Sequence, residues 1–304
     1  MWSPTRRTPL RSSRTATELH EDPHDHVDPH DAVAPAVEAA TVALLRDSDD
    51  GLEVLLLRRT DKAGFVPGAH VFAGGAVDAS DALGTHLVAG VTDAVASSTS
   101  GVASGGLRFW MAAVRESLEE SGVAPGVRSA SPGSQELVDL GPWRDEVHAG
   151  RISLAGALEA AGARIDGSAL RCIARWVTPV WSPRRFDTRF FIASAPEGAE
   201  VSHDGSEAVG HEWLRPRDAL DAARTGRITM IMPTVRTLAA LDAYDTTDRA
   251  MAGLRFGDPA EPLLPEMSQA PDGRTLAVLS SDPESNGGVY DSDTGDPVQR
   301  SPTG

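Results

Sequence analysis

The strongest constraint on the fold of this chain is a change of hydrophobic period within one continuous stretch, about Ala36 to Tyr244. Strand-type and helix-type runs follow one another there. The segments AVEAATVALLRD and GLEVLLLRRT flank the Asp/Gly-rich connection DSDDG, which predicts a β-hairpin. AHVFAGGAVD reads as a short strand ending in a Gly pair, and a low-complexity stretch, Ala82 to Gly106, follows it. The period then changes. Phe109, Ala112, Ala113, Ser117, Leu118 and Val123 form an imperfect helical stripe that ends at Gly122, predicting a helix over Leu107 to Ser121. Farther on, SLAGALEAAGA predicts a helix and RCIARWVTPVW a strand. RFDTRFFIASAP predicts another strand, with Phe186, Thr188, Phe190 and Ile192 on one face. HEWL reads as a short strand, PRDALDAARTGR as a helix with Pro216 in its first turn, and MPTVRTLAALDAYD as a helix opened by Pro233. A last hairpin is expected around Pro271-Asp272-Gly273. Mixed elements without a 20–50-residue repeat predict an α/β or α+β fold and disfavour solenoids and propellers.

Composition narrows the class. A single cysteine, Cys172, excludes an intrachain disulfide framework, and it reads as a small core residue. Of the 304 residues roughly 230 remain once the biased ends are set aside, enough for one well-buried core. The formal charge of −16, with Lys62 the only lysine, predicts no nucleic-acid partner and no anionic-membrane surface. Apolar runs of 18 residues are missing, so a soluble, cytoplasmic protein is expected. Met1 to Arg14 is Arg- and Ser-rich like a transit peptide but lacks an apolar core and a helical stripe, so it reads as a disordered basic arm, with targeting as the alternative. His20 to Asp31, HEDPHDHVDPHD, reads as a solvated linker, with metal capture as the alternative. The expected division is a disordered arm and linker at 1–34 and one main folded domain at 35–250 with an insertion at 82–106. An extension with a hairpin at 251–279 and a disordered tail at 280–304 complete it.

The chemistry concentrates in Arg115-Glu116-Ser117-Leu118-Glu119-Glu120-Ser121-Gly122. On a helix, Glu116 lies three residues from Glu119 and four from Glu120, so three carboxylates share one face. Each like-charge pair at that spacing costs a few tenths of a kcal/mol when exposed, and more when sheltered. A hard divalent cation such as Mg²⁺ or Mn²⁺ relieves that repulsion, and Arg115 can hold one carboxylate in place. Taken alone, the string also suits a solvated helix face.

The upstream context decides between the two. Gly75 is followed by five residues and Asp81, and with RESLEESGV this resembles the signature of the Nudix hydrolases, G-x5-E-x7-R-E-U-x-E-E-x-G-U, U being a bulky aliphatic. Asp81 stands in place of the first Glu, and Ser117 replaces an aliphatic. In addition, 33 residues separate Asp81 from Arg115 where the pattern has seven. An excursion of that size is tolerable because loop closure costs grow only logarithmically. The interrupted signature, GFVPGAHVFAGGAVD before it and RWVTPVWSPRRFDTRFF after it resemble one branch of the Nudix hydrolases, the one that includes the mammalian peroxisomal coenzyme A diphosphatase.

The resemblance implies a Nudix α/β/α sandwich with a mixed sheet, and hydrolysis of a nucleoside diphosphate linked to another moiety. Coenzyme A or an acyl-CoA is the preferred substrate, and a nucleotide sugar or dinucleotide the alternative. A non-catalytic, nucleotide-sensing Nudix domain is the rival of another class. The implied metal ligands are Glu116, Glu119, Glu120 and a carbonyl at Gly74 or Gly75, with Arg115, Glu116 and Glu119 as catalytic residues. Outside the signature, Glu207 and Asp204 are candidate bases, each also readable as a plain loop acid. Arg184 and Arg185, or Arg58 and Arg59, could clasp phosphate, or could simply be solvated strand ends.

Overall fold

Ser48 and Gly51 face each other across the first turn, closing the hairpin of β1 (Ala36–Ser48) and β2 (Gly51–Arg59) where the Asp/Gly-rich connection predicts it. The computed structural model describes residues 33–62, 66–203, 205, 207–254, 258–279, 288–291 and 298. The basic arm, the His/Asp tract and most of the tail lie outside them. β3 (His70–Val71) pairs with β2 and β4 (Ala73–Ala76) with β1, so the glycine pair at 74 and 75 is held in register against Thr41 and Ala40.

The Ala82–Gly106 excursion is folded. α1 (Ala79–Leu83), β5 (Val88–Ala89) and α2 (Asp93–Ser100) carry the chain to α3 (Leu107–Ser121). Small side chains make this packing dense, with Ala96, Ser97 and Ser100 of α2 buried. Asp93 also caps α3 from outside, its carboxylate accepting from the backbone N–H groups of Gly105 at 2.9 Å and Leu107 at 3.2 Å. Those two bonds hold the Asp93 carboxyl below its ordinary value.

Beyond α3 come β6 (Val127–Ser129), α4 (Arg144–His148), α5 (Leu154–Ala160) and β7 (Ala163–Asp166). β5, β7 and β6 make a small side sheet. The chain re-enters the main sheet with β8 (Leu170–Val177), β9 (Arg185–Ser194) and β10 (Ala208–Leu214). The strand predicted through Trp181 stops at Val177, because Pro179 and Pro183 cannot donate to a ladder. α6 (Pro216–Arg224), α7 (Met232–Leu241) and α8 (Thr247–Gly253) follow, each proline of the first two sitting in a first turn. The chain then forms β11 (Pro262–Leu263), β12 (Glu266–Gln269), β13 (Thr275–Val278) and β14 (Val289–Asp291), with the β12–β13 hairpin where Pro271-Asp272-Gly273 predicts it.

The main sheet runs β10-β2-β1-β9-β8-β11, with β3 and β4 added beside β2 and β1. It is mixed, because β1 and β9 are parallel while β1 with β2 and β8 with β9 are antiparallel. Helices cover both faces, giving the α/β/α sandwich. Val42, Leu44 and Phe191 meet Phe109, Met111 and Leu118 of α3 on one side. Leu45, Leu56 and Ile192 meet Ala219, Val235 and Leu238 of α6 and α7 on the other. Such two-sided burial explains the nearly continuous apolar run at the end of β9. Arg189 stands just before that run on the α3 side, fully buried. Its guanidinium lies 4.1 Å from the Phe109 ring centroid, donates to the Ser100 carbonyl at 2.8 and 3.0 Å, and pairs with Asp187 at 3.1 Å.

Candidate active site

α3 reaches the glycine bend of β4 with its acidic turn, and backbone needs on both sides set that approach. Gly122 ends the helix at φ 77°, in the left-handed region glycine tolerates. Ser117, which departs from the aliphatic of the signature, is fully buried and donates to the Val123 carbonyl at 2.7 Å, so its hydroxyl helps finish the helix end. From α4, Arg144 donates to the Glu119 carbonyl at 2.9 and 3.0 Å and to Ser202 Oγ at 2.6 Å. A cation at this position also suits the negative end of the helix.

On the facing side, Gly74 N–H donates to Glu120 Oε2 at 3.1 Å. A Cβ on Gly75 would stand 2.5 Å from Glu116 Oε1, so only glycine lets the carboxylate come this close. Arg115 fills the space between the two halves of the interrupted signature. It clasps Asp81 with two bonds of 3.0 Å, contacts Glu116 at 2.7 Å and Glu119 at 3.5 Å, and donates to the Ala76 carbonyl at 2.8 Å. Asp81 is 1% exposed and closes a capping box with Asp78, so its role here is to anchor Arg115 and the start of α1.

Three carboxylates, those of Asp81, Glu116 and Glu119, thus surround one guanidinium, and Glu120 stands beside them on the Gly74 N–H. Burial pushes the Glu116 carboxyl up to about 7, against the opposing pull of Arg115. Burial likewise raises Glu119, and lifts Glu120 well above the usual carboxylate range, with the Glu116 charge adding to it. Arg115 is held charged by these partners despite its burial. Among the described residues no three Asp, Glu, His or Cys side chains stand ready-made as an ion cage. In this arrangement Arg115 holds Glu116 and Glu119, and Gly74 holds Glu120. The donor set nevertheless fits a hard divalent cation: oxygen ligands, sheltered, with more negative charge than one arginine neutralises.

A cavity of about 770 Å³ opens beside the bend, lined by Gly74, Gly75, Arg59 and Glu207 and by a larger set of apolar side chains. Glu207 is close enough for its charge to raise both Glu116 and Glu120. Asp204 lies outside the described residues. Of the four arginines expected at phosphate, Arg59 alone lines this cavity, and its Nε is buried with no hydrogen-bond partner. Arg58 points away to Asp61 at 3.2 Å, as strand alternation requires of one of the pair. Arg185 donates to the carbonyls of Thr178 at 3.0 Å and Ala34 at 2.8 Å, and Arg184 is exposed. Arg144 escaped the sequence reading. Its contacts with Glu119 and Ser202 span 25 and 58 residues, and no local pattern marks them.

A helix-covered mixed sheet with a glycine bend under an acid-bearing helix is the architecture of a Nudix domain. The crystal structure of a Nudix hydrolase from Alicyclobacillus acidocaldarius matches it with a TM-score of 0.61 at 30% identity, covering 74% of this chain and 100% of that one. The chain belongs to the family described as the NUDT19 Nudix domain, which matches residues 90–241. Human acyl-coenzyme A diphosphatase NUDT19 is 30% identical over 241 residues, 66% of this chain and 64% of the human protein. Putative nudix hydrolase 7 of Caenorhabditis elegans is 28% identical over 214 residues, 70% of this chain and 62% of the relative. The chain therefore spans just under two thirds of the length of these curated relatives. No helix among the described residues is long and apolar enough to cross a membrane.

Proposed function

We propose that the chain hydrolyses the diphosphate of coenzyme A or an acyl-CoA, releasing a 4′-phosphopantetheine product and 3′,5′-adenosine diphosphate, with Mg²⁺ or Mn²⁺ as cofactor. The observation that carries this reading is the placement of Glu116 against Gly75 and Glu120 against Gly74, two glycines that line the cavity, with Glu119 held on the same turn by Arg115. Likeness to the acyl-coenzyme A diphosphatase of human supports the choice of substrate.

Glu116, Glu119, Glu120 and a carbonyl of the glycine pair would hold the cation, which when bound neutralises diphosphate charge and acidifies water. Arg59 would meet the diphosphate with its unpartnered Nε. Arg115, anchored by Asp81, orients Glu116 and Glu119. Water adds to one phosphorus, the bridging oxygen leaves with the other phosphate, and a carboxylate accepts the water's proton. Glu119 is the choice within the helix, and Glu207, on the cavity wall, the one outside it. We place the protein in the cytoplasm, to be checked by imaging a tagged chain.

Chromatography of products from CoA, an acyl-CoA, ADP-ribose, a nucleotide sugar and a dinucleotide, each with Mg²⁺ or Mn²⁺, tests the proposal. Cleavage of ADP-ribose without CoA turnover would reverse the substrate order. Nucleotide binding without hydrolysis under any divalent ion would favour a sensor. Glu119→Gln is expected to lower turnover by about 10²-fold or more while the melting temperature stays nearly constant; undiminished turnover removes Glu119 from the mechanism.

A further inference from the structure

The wall of the cavity holds two kinds of residue. Beside the glycine pair stand Arg59 and Glu207, the polar groups a diphosphate can meet. Much of the rest is apolar, and three of the chain's six methionines, Met230, Met232 and Met267, converge on it. Methionine is unbranched and polarisable, so a wall of methionines adapts to ligands of different length and shape. Met267 comes from outside the stretch that matches the family, residues 90–241. It sits on β12 directly opposite Ala277 of β13, and both line the cavity, so the C-terminal hairpin builds part of the wall. Two large apolar side chains on the cavity remain solvent-accessible, Trp181 at 64% and Met267 at 36%. Exposed apolar surface at the rim of a concavity is the mark of an apolar occupant.

We propose that the methionine-lined part of this cavity receives the acyl substituent of an acyl-CoA, and that the C-terminal hairpin, through Met267, sets how strongly the tail is held. The proposal rests on the acyl-CoA reading above. A base ring would instead require fixed polar partners, whereas a hydrocarbon tail gains from burial alone, methylene by methylene.

The test uses the full chain in divalent-free buffer, where Trp176 and Trp181 on the cavity wall report binding by intrinsic fluorescence. The ligands are CoA, hexanoyl-CoA, lauroyl-CoA, lauric acid and 3′,5′-adenosine diphosphate. Affinity is expected to rise with acyl length, lauroyl-CoA binding at least about tenfold tighter than CoA. Met267→Asp should cut that advantage by about tenfold, and Met267→Ala by less. Because Met267 is partly exposed, both variants should keep the wild-type circular dichroism and melting temperature. Lauroyl-CoA binding no tighter than CoA, or Met267→Asp weakening CoA, lauroyl-CoA and 3′,5′-adenosine diphosphate alike, overturns the proposal. Products measured in parallel with Mg²⁺ separate the two levels. If no CoA ester is cleaved while lauroyl-CoA and lauric acid still bind in a Met267-dependent way, the acyl site stands and the diphosphatase reading falls.

Discussion

Arg115 meets Asp81, Glu116 and Glu119 at once, and the Ala76 carbonyl besides. Burial raises the Glu116 and Glu120 carboxyls, and the charges of neighbouring acids, which one cation shared over so many oxygens does not cancel, add to it. The consequence for stability has a definite sign. A carboxyl raised in the folded state adds stability that is fully present below its unfolded value and is lost as pH climbs through the folded one. For Glu116 that window ends near its value of about 7. Metal-free protein should therefore lose this contribution as pH rises from about 4.5 to about 7. Urea unfolding of Glu116→Gln should show a shallower loss over the same range; an identical slope would deny the burial of that charge. Arg59, whose Nε has no partner, should matter to substrate and little to folding. Arg59→Gln is expected to raise KM about tenfold or more with a smaller change in kcat, measured by steady-state kinetics.

At the level of elements, α3 is held at both ends by side chains distant in sequence. Asp93 of α2 caps its start, and Arg144 of α4 clamps its last turn to the Ser202 segment. Asp93→Ala should cost about 1 kcal/mol, read from the urea midpoint at pH 7. Because the Asp93 carboxyl is held below its ordinary value, its contribution is present above that ordinary value and fades as pH falls through the lowered one. The difference between wild type and variant should accordingly shrink in acid. Much of α3 was legible beforehand. Its limits follow from the stripe and from Gly122, and the three acids share a turn and a half by spacing alone. The β1–β2 turn, the alternation of β9 and the prolines opening α6 and α7 were equally plain, each being a local rule. What stayed hidden was tertiary. α2, DAVASSTS, has almost no apolar stripe, so its helix depends on packing against α3 and on the Thr92 cap. The Arg189 contact with Ser100 joins residues 89 apart, and the choice of Arg59 over Arg58 depends on which way β2 faces.

For the molecule as a whole, the acidic turn and the cavity meet at one strand. The α3 face carries the acidic turn, while Phe190 of the other face also lines the cavity, and the glycine pair of β4 is the thin partition between them. A dication bound there would stabilise only the folded chain. Thermal unfolding in rising Mg²⁺ should move the melting temperature upward, by the equivalent of about 2.7 kcal/mol at a hundredfold excess over Kd, and Glu120→Gln should blunt the rise. An unmoved transition in both proteins would speak against an ion at this place. The clasp between Asp81 and Arg115 closes across a folded excursion of 33 residues. Kinship of this sort is written in contacts and not in adjacent letters. A search for an unbroken string passes over such a chain, whereas a search for a paired acid and arginine above a bare bend would retrieve it, along with any cousin whose interruption is longer still.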